Sequence, residues 1–128
     1  MPVERATRQR SAIRSVIERA ARPVSPQEIL DDTRSITGGI GIATVYRALK
    51  KLVSDGSIRV VTLPGDPARY EMNGSAHHHH FQCTRCRRVY EIAGCPGDLR
   101  HLAPRGFTVE RHEITLYGRC AHCRPRAA

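Results

Sequence analysis

Tryptophan is absent from this 128-residue chain, phenylalanine occurs twice, and lysine occurs only at Lys50 and Lys51. No apolar run approaches the roughly 18 residues that a membrane span needs, and Met1-Pro2-Val3-Glu4-Arg5 lacks the apolar segment that opens a signal peptide. These absences lead us to expect a soluble, cytoplasmic protein without a membrane partner. Acidic residues are few: Lys+Arg 21 against Asp+Glu 12 leaves a net charge of +9. That excess points to a polyanion such as nucleic acid. Almost all of it is arginine, whose fork pairs with phosphate or a guanine edge, although a GC-rich genome would produce the same bias. At 40% hydrophobic, the chain can bury a core, and its length suits one ordinary domain or two very small ones.

Neither cysteine nor histidine occurs before His77, whereas all five cysteines and all seven histidines lie from His77 onward. An odd cysteine count in a reducing compartment argues against a disulfide framework and for metal. The composition changes near the small polar stretch Asn73-Gly74-Ser75-Ala76. We therefore read residues 1–72 as one lobe, 73–76 as a hinge and 77–128 as a second lobe.

In the first lobe, Ile13, Val16, Ile17 and Ala20 form one apolar stripe on a helix running from Arg5 to Ala21, which Pro23 ends. Ser25-Pro26-Gln27-Glu28 reads as an N-cap, a proline at the first helical position and a capping-box glutamate. The helix that follows is short, to Arg34, with Ile29 and Leu30 buried. After a glycine-rich turn at Gly38, Gly39 and Gly41, a third helix turns Val45, Ala48, Leu49 and Leu52 inward and stops at Asp55-Gly56. The period then changes. Ile58 to Leu63 and Ala68 to Met72 read as strands around the turn Pro64-Gly65-Asp66-Pro67. Three helices and a hairpin are the order of a winged helix-turn-helix, whose last helix enters the DNA major groove. Thr44, Tyr46, Arg47, Lys50 and Lys51 face outward on that helix, a polar set suited to phosphates and base edges.

In the second lobe, Cys83-Thr84-Arg85-Cys86 and Cys120-Ala121-His122-Cys123 are two C-x-x-C knuckles. Four thiolates can close a tetrahedron around Zn²⁺, the arrangement of a structural site. A redox role for either pair is the rival reading, but redox chemistry needs no second copy. Between the knuckles we expect a strand at Arg88 to Ile92, a short helical piece at Gly97 to Ala103, and a longer strand at Phe107 to Tyr117. Cys95 has no partner in spacing and reads as a non-ligating loop thiol. Along the run His77-His78-His79-His80, alternation on a strand would send His78 and His80 to one side and His77 and His79 to the other. Glu71 with His78 and His80 makes a mixed oxygen and nitrogen site near the hinge. His112 can join His77 and His79, with Asp98 or His101 as a further ligand.

Taken in order, Thr7-Arg8-Gln9-Arg10, Ala43-Thr44-Val45-Tyr46-Arg47-Ala48-Leu49, the histidine run before Cys83, and His112 through Tyr117-Gly118-Arg119-Cys120 carry a resemblance. The chain resembles the ferric uptake regulator family of bacterial metal-dependent repressors over almost its whole length. The resemblance implies an α+β protein: an N-terminal winged helix-turn-helix, then a small α/β dimerisation lobe with a four-cysteine zinc site. It implies a cytoplasmic homodimer that binds a palindromic double-stranded DNA operator when a regulatory metal is held at the hinge. Its structural zinc would sit on Cys83, Cys86, Cys120 and Cys123, its regulatory metal on Glu71, His78 and His80, and an accessory metal on His77, His79, Asp98 and His112. DNA contacts would come from Arg10, Thr44, Tyr46, Arg47, Lys50 and Lys51.

Two positions depart from the family pattern. Iron sensors place a histidine where this chain has Pro23 or its neighbour, and zinc sensors place a cysteine where it has Asn73. The remaining hard set favours Fe²⁺ or Mn²⁺ at the hinge, with Zn²⁺ or nickel as alternatives. A zinc-uptake or peroxide-sensing member of the same family is a second reading. A metal-dependent hydrolase using Glu71 as a general base is the alternative of another class.

Overall fold

The computed structural model describes residues 2–74 and 77–123. The chain is an α+β protein that folds as two compact units, residues 1–75 and 76–128. Among the described residues, no helix is long and apolar enough to cross a membrane.

The first unit is built on three helices, α1 (Pro2–Ala20), α2 (Pro26–Thr37) and α3 (Ile42–Ser54), followed by strands β1 (Ile58–Val61) and β2 (Arg69–Met72). The expected stripes form its core: Ile13 and Ile17 of α1, Ile29 and Leu30 of α2, and Val45, Leu49 and Leu52 of α3 are all buried together. Each such side chain contributes roughly 1.5–3 kcal/mol by leaving water. Ser25 caps α2 as the sequence suggests: the Glu28 N–H donates to Ser25 Oγ and the Ser25 N–H donates to Glu28 Oε1, both at 3.2 Å. The helix runs one turn beyond Arg34, because its last turn needs no apolar stripe; Ile36 there is exposed. Gly38, at φ 65°, ends it by donating its N–H to the Arg34 carbonyl. That left-handed conformation suits glycine.

β1 and β2 pair antiparallel, Ile58 opposite Met72 and Val61 opposite Arg69. Thr62 and Leu63 leave the ladder earlier than expected, since the turn begins where the Asp66 N–H donates to the Leu63 carbonyl. A feature with no local signal ties the hairpin to the helices. Val24 and Tyr70 exchange two backbone hydrogen bonds at 2.9 Å, so the residues before α2 lie along β2. Beside them, buried Arg69 donates to Asp66 and to Glu28, and Arg22 donates to the other Glu28 oxygen at 2.7 Å. One glutamate thus caps α2 and anchors the hairpin.

The second unit is a three-stranded sheet in the order β4-β3-β5, with β3 (His79–Cys83) central, β4 (Val89–Ile92) antiparallel to it and β5 (Thr115–Gly118) parallel. The expected helical piece is a single 3-10 turn at Arg100–Leu102. The long strand expected from Phe107 shortens to Thr115–Gly118, the span that β3 can pair from His80 to Cys83. Its apolar residues foreshadow this: Val109 falls on the opposite parity from Ile114 and Leu116, so no single face runs the whole length. Few apolar side chains are buried here. Val89 and two cysteines, Cys83 and Cys120, accompany the polar His79 and Gln82, a core too small to hold a unit of this size without a further constraint.

Candidate functional site

The two knuckles meet where β3 and β5 end side by side. Cys83 closes β3, a tight turn brings Cys86 back, and Cys120 follows Gly118 by two residues; the Thr84 N–H donates to the Gly118 carbonyl at 2.7 Å and keeps the two strand ends together. The four Sγ atoms of Cys83, Cys86, Cys120 and Cys123 all lie within 4.8 Å of one another, with Cys86 and Cys120 at 3.9 Å. Zinc–sulfur bonds of about 2.3 Å span a tetrahedron with edges of about 3.8 Å, so the spacing fits the ion.

Electrostatics favour the thiolate at two of the four sulfurs, Cys83 and Cys120. The Cys83 sulfur accepts the N–H groups of Cys86 and Cys120, which pull its pKa down to about 5. Burial pushes the Cys120 thiol up, but the Tyr90 hydroxyl and the N–H groups of His122 and Cys123 outweigh it and lower its pKa. Cys123 keeps its proton: its hydrogen bond to Cys120, reinforced by burial, pushes it up to about 12. A divalent cation would replace the protons that these sulfurs share.

A second cluster lies in the same unit. His77 Nε2 and His112 Nε2 are 3.3 Å apart, Cys95 Sγ lies 3.2 Å from His112 Nε2, and His79 Nε2 lies 3.4 Å from Cys95 Sγ. His79 is buried, and burial together with the neighbouring imidazoles lowers its pKa, which favours the neutral ring. The structure brings together His77, His79 and His112 as expected, but with Cys95 and without Asp98. Asp98 is exposed and both its oxygens are taken by Arg100, whose hydrogen bonds hold its carboxyl at about 2. His101 lies exposed on the 3-10 turn, outside the cluster. Cys95 escaped the sequence reading because it sits in a loop with no C-x-x-C partner; only the fold of the chain after β4 returns it to the histidines.

Of the three residues expected at the hinge site, Glu71 is buried in the first unit, where Arg59 on the facing strand donates to it at 2.9 Å. In the second unit the rings of His78 and His80 are 4.9 Å apart, and His78 Nδ1 lies 3.2 Å from a Glu91 oxygen. Glu91, directly across the ladder from His80, is a carboxylate that sequence spacing does not reveal. Asn73 is engaged in its own turn: its side-chain amide donates to the Gly56 carbonyl, and its side-chain oxygen accepts the Gly74 N–H.

On α3 the inward stripe leaves Tyr46, Arg47, Lys50 and Lys51 exposed; Thr44 is half-buried and accepts a hydrogen bond from Arg47 Nη2 at 3.0 Å. Arg10 is half-buried on α1. With Arg14 it acts on the Asp55 carboxyl at the end of α3, whose pKa is lowered first by its hydrogen bonds from Ser57 and only then by these charges.

The model of the ferric uptake regulator family matches residues 4–117. Among individual proteins, the chain is 34% identical over 87 residues to the ferric uptake regulation protein of Bordetella parapertussis, which covers 66% of this chain and 63% of that one, so it spans less than two thirds of that relative. It is 31% identical over 123 residues to the zinc uptake regulation protein of Mycobacterium tuberculosis, covering 94% of this chain and 95% of the other. Among solved structures, the Helicobacter pylori ferric uptake regulator, described as having three functional metal binding sites, is similar at a TM-score of 0.70 and 26% identity, over 94% of this chain and 83% of that one.

Proposed function

The chain belongs to the ferric uptake regulator family, and we propose that it acts as a metal-responsive transcriptional repressor that binds double-stranded operator DNA as a homodimer. Members of this family are transcriptional regulators and not enzymes, which sets aside the hydrolase reading. The observation that carries the proposal is α3: a helix anchored by four buried apolar residues that exposes an aromatic and three cations. Arg47, Lys50, Lys51 and Tyr46, with Thr44 of the same helix and Arg10 of α1, supply phosphate and base contacts. Two copies of the helix would read the two halves of a palindromic site.

In this reading Cys83, Cys86, Cys120 and Cys123 hold a structural zinc that makes up for the sparse core of the second unit. Glu71, His78 and His80 hold the sensed metal, and Glu91, already bonded to His78, adds an oxygen donor. An oxygen and imidazole set suits Fe²⁺ or Mn²⁺. The sensed ion favours DNA binding only through its different affinity for the DNA-competent and incompetent states. Zinc as the sensed ion is a second reading, supported by the similarity to a zinc uptake regulation protein along 94% of the chain.

Fluorescence anisotropy with DNA from upstream of metal-transport genes, run on zinc-loaded protein with Mn²⁺, Fe²⁺ (anaerobically) and Zn²⁺ in turn, tests the proposal. Activation at the lowest free concentration by Mn²⁺ or Fe²⁺ supports the first reading, and by Zn²⁺ the second. DNA binding that ignores all three ions would overturn both.

A further inference from the structure

We infer that Cys95, in place of Asp98, completes a three-imidazole, one-thiolate metal site with His77, His79 and His112, and that this site takes a borderline ion such as Zn²⁺ in preference to Mn²⁺. The inference concerns metal binding alone and stands whether or not the chain binds DNA.

The four ligand atoms are gathered at separations close to those a tetrahedral ion requires. Metal–nitrogen bonds of about 2.0–2.1 Å and a metal–sulfur bond of about 2.3 Å give edges of about 3.3 Å between nitrogens and about 3.6 Å between nitrogen and sulfur. The three separations that join these ligands are 3.3, 3.2 and 3.4 Å, and all four ligand atoms lie within 4.8 Å of one another. Three separate segments supply them: the start of β3 with the residues just before it, the loop after β4, and the residues before β5. Histidine rings gathered edge-on and stacked, with centroids 4.5 to 5.1 Å apart and ring nitrogens turned toward a common point, repel one another once protonated; an ion at that point relieves this.

The Ile114 N–H donates to His79 Nδ1 at 3.0 Å and fixes the ring with Nε2 toward the cluster. In the metal-free ring that leaves the proton on Nε2, pointing at the Cys95 sulfur. Binding through Nε2 therefore requires this proton to move to Nδ1, breaking the Ile114 hydrogen bond, while the Cys95 thiol proton is released to solvent. Asp98 offers no competing oxygen, being closed on Arg100 at 2.8 Å and 3.0 Å. Exchanging a carboxylate for a thiolate changes the metal class: hard oxygen suits Mn²⁺, whereas sulfur with imidazole suits Zn²⁺ or Co²⁺.

Co²⁺ is the probe, added to full-length protein whose four-cysteine cluster has first been filled with zinc. The wild type should develop a sulfur-to-cobalt charge-transfer band in the near ultraviolet with the intensity of a single thiolate. Glu71, His78 and His80 carry no sulfur and contribute none. Cys95→Ala should abolish the band while keeping its tightly bound zinc, and Asp98→Ala should leave the band unchanged. A band that survives Cys95→Ala, or that never forms in the wild type, overturns the inference. Alkylation provides a readout that needs no variant at Cys95. Zn²⁺ beyond the first equivalent should slow iodoacetamide labelling of Cys95, followed by peptide mass spectrometry, because a metal-bound thiolate is no longer free to react, and His112→Ala should remove that protection. Equal labelling rates with and without the added zinc would show that Cys95 holds no metal.

Discussion

The backbone N–H of Cys120 donates to the Sγ of Cys83 at 3.4 Å, joining the ends of two parallel strands before any ion is considered. The Cys86 N–H donates to the same sulfur at the same distance. The sulfur that closes the central strand is thereby prepared as an anion at the point where a small, sparsely packed unit needs a fastening.

That fastening should be required for the second unit and not for the first. Cys83→Ser or Cys120→Ser is expected to lose its tightly bound zinc and to melt the second unit, because the binding free energy of a structural site is also folding free energy. The helices of the first unit, with their own buried core, should survive. Metal analysis combined with amide hydrogen exchange separates the two outcomes; a variant that retains zinc and protection in β3 and β5 would contradict the assignment.

Glu28 predicts a pH dependence confined to the first unit. Burial raises its pKa, but the Arg22 hydrogen bond and charge, the Ser25 N–H and Arg69 outweigh burial and hold it below the ordinary 4.5. A carboxylate depressed in the folded state stabilises above its unfolded value and loses that contribution as pH falls through the folded value. Glu28→Gln should therefore be destabilising at neutral pH, and the difference from the wild type should shrink as the pH is lowered below the ordinary 4.5. Urea unfolding of both proteins across this range checks it.

Arg47→Ala removes an exposed cation from the outward face of α3. Operator affinity at fixed salt and saturating metal should fall by ~1–3 kcal/mol if the contact is to a base edge, and competition with unrelated DNA should become more effective. Zinc content should be unchanged. An affinity equal to the wild type would move the reading contact to Tyr46, Lys50 or Lys51.

His80→Ala and Glu71→Ala should separate sensing from stapling. Both variants are expected to stay folded and zinc-loaded yet to need more Mn²⁺ or Fe²⁺ for half-maximal DNA binding, since a lost ligand reduces the differential affinity that drives the shift. Identical metal-activation curves for wild type and both variants would remove Glu71 and His80 from the sensing site.

What the sequence determined by itself is what short range decides. The stripes of α1 and α3 recur every three to four residues, the Ser25–Glu28 capping box spans three residues, and each C-x-x-C pair sits on one turn, so the local chain displays them all. The α2 terminus and the length of β5 are decided elsewhere: one depends on a glycine that closes an exposed turn, the other on how much of β3 is available to pair. Val24 beside Tyr70, Glu28 beneath Arg69 and Glu91 across from His80 bring together residues separated by 46, 41 and 11 positions, and no periodicity marks such pairs. Cys95 shows the difference most sharply. Without a neighbouring cysteine its spacing says nothing, and Asp98, three positions later, is the more conventional ligand on paper. Tertiary structure separates them, because Arg100 closes on the carboxylate locally while the loop after β4 carries the thiol to His79 and His112.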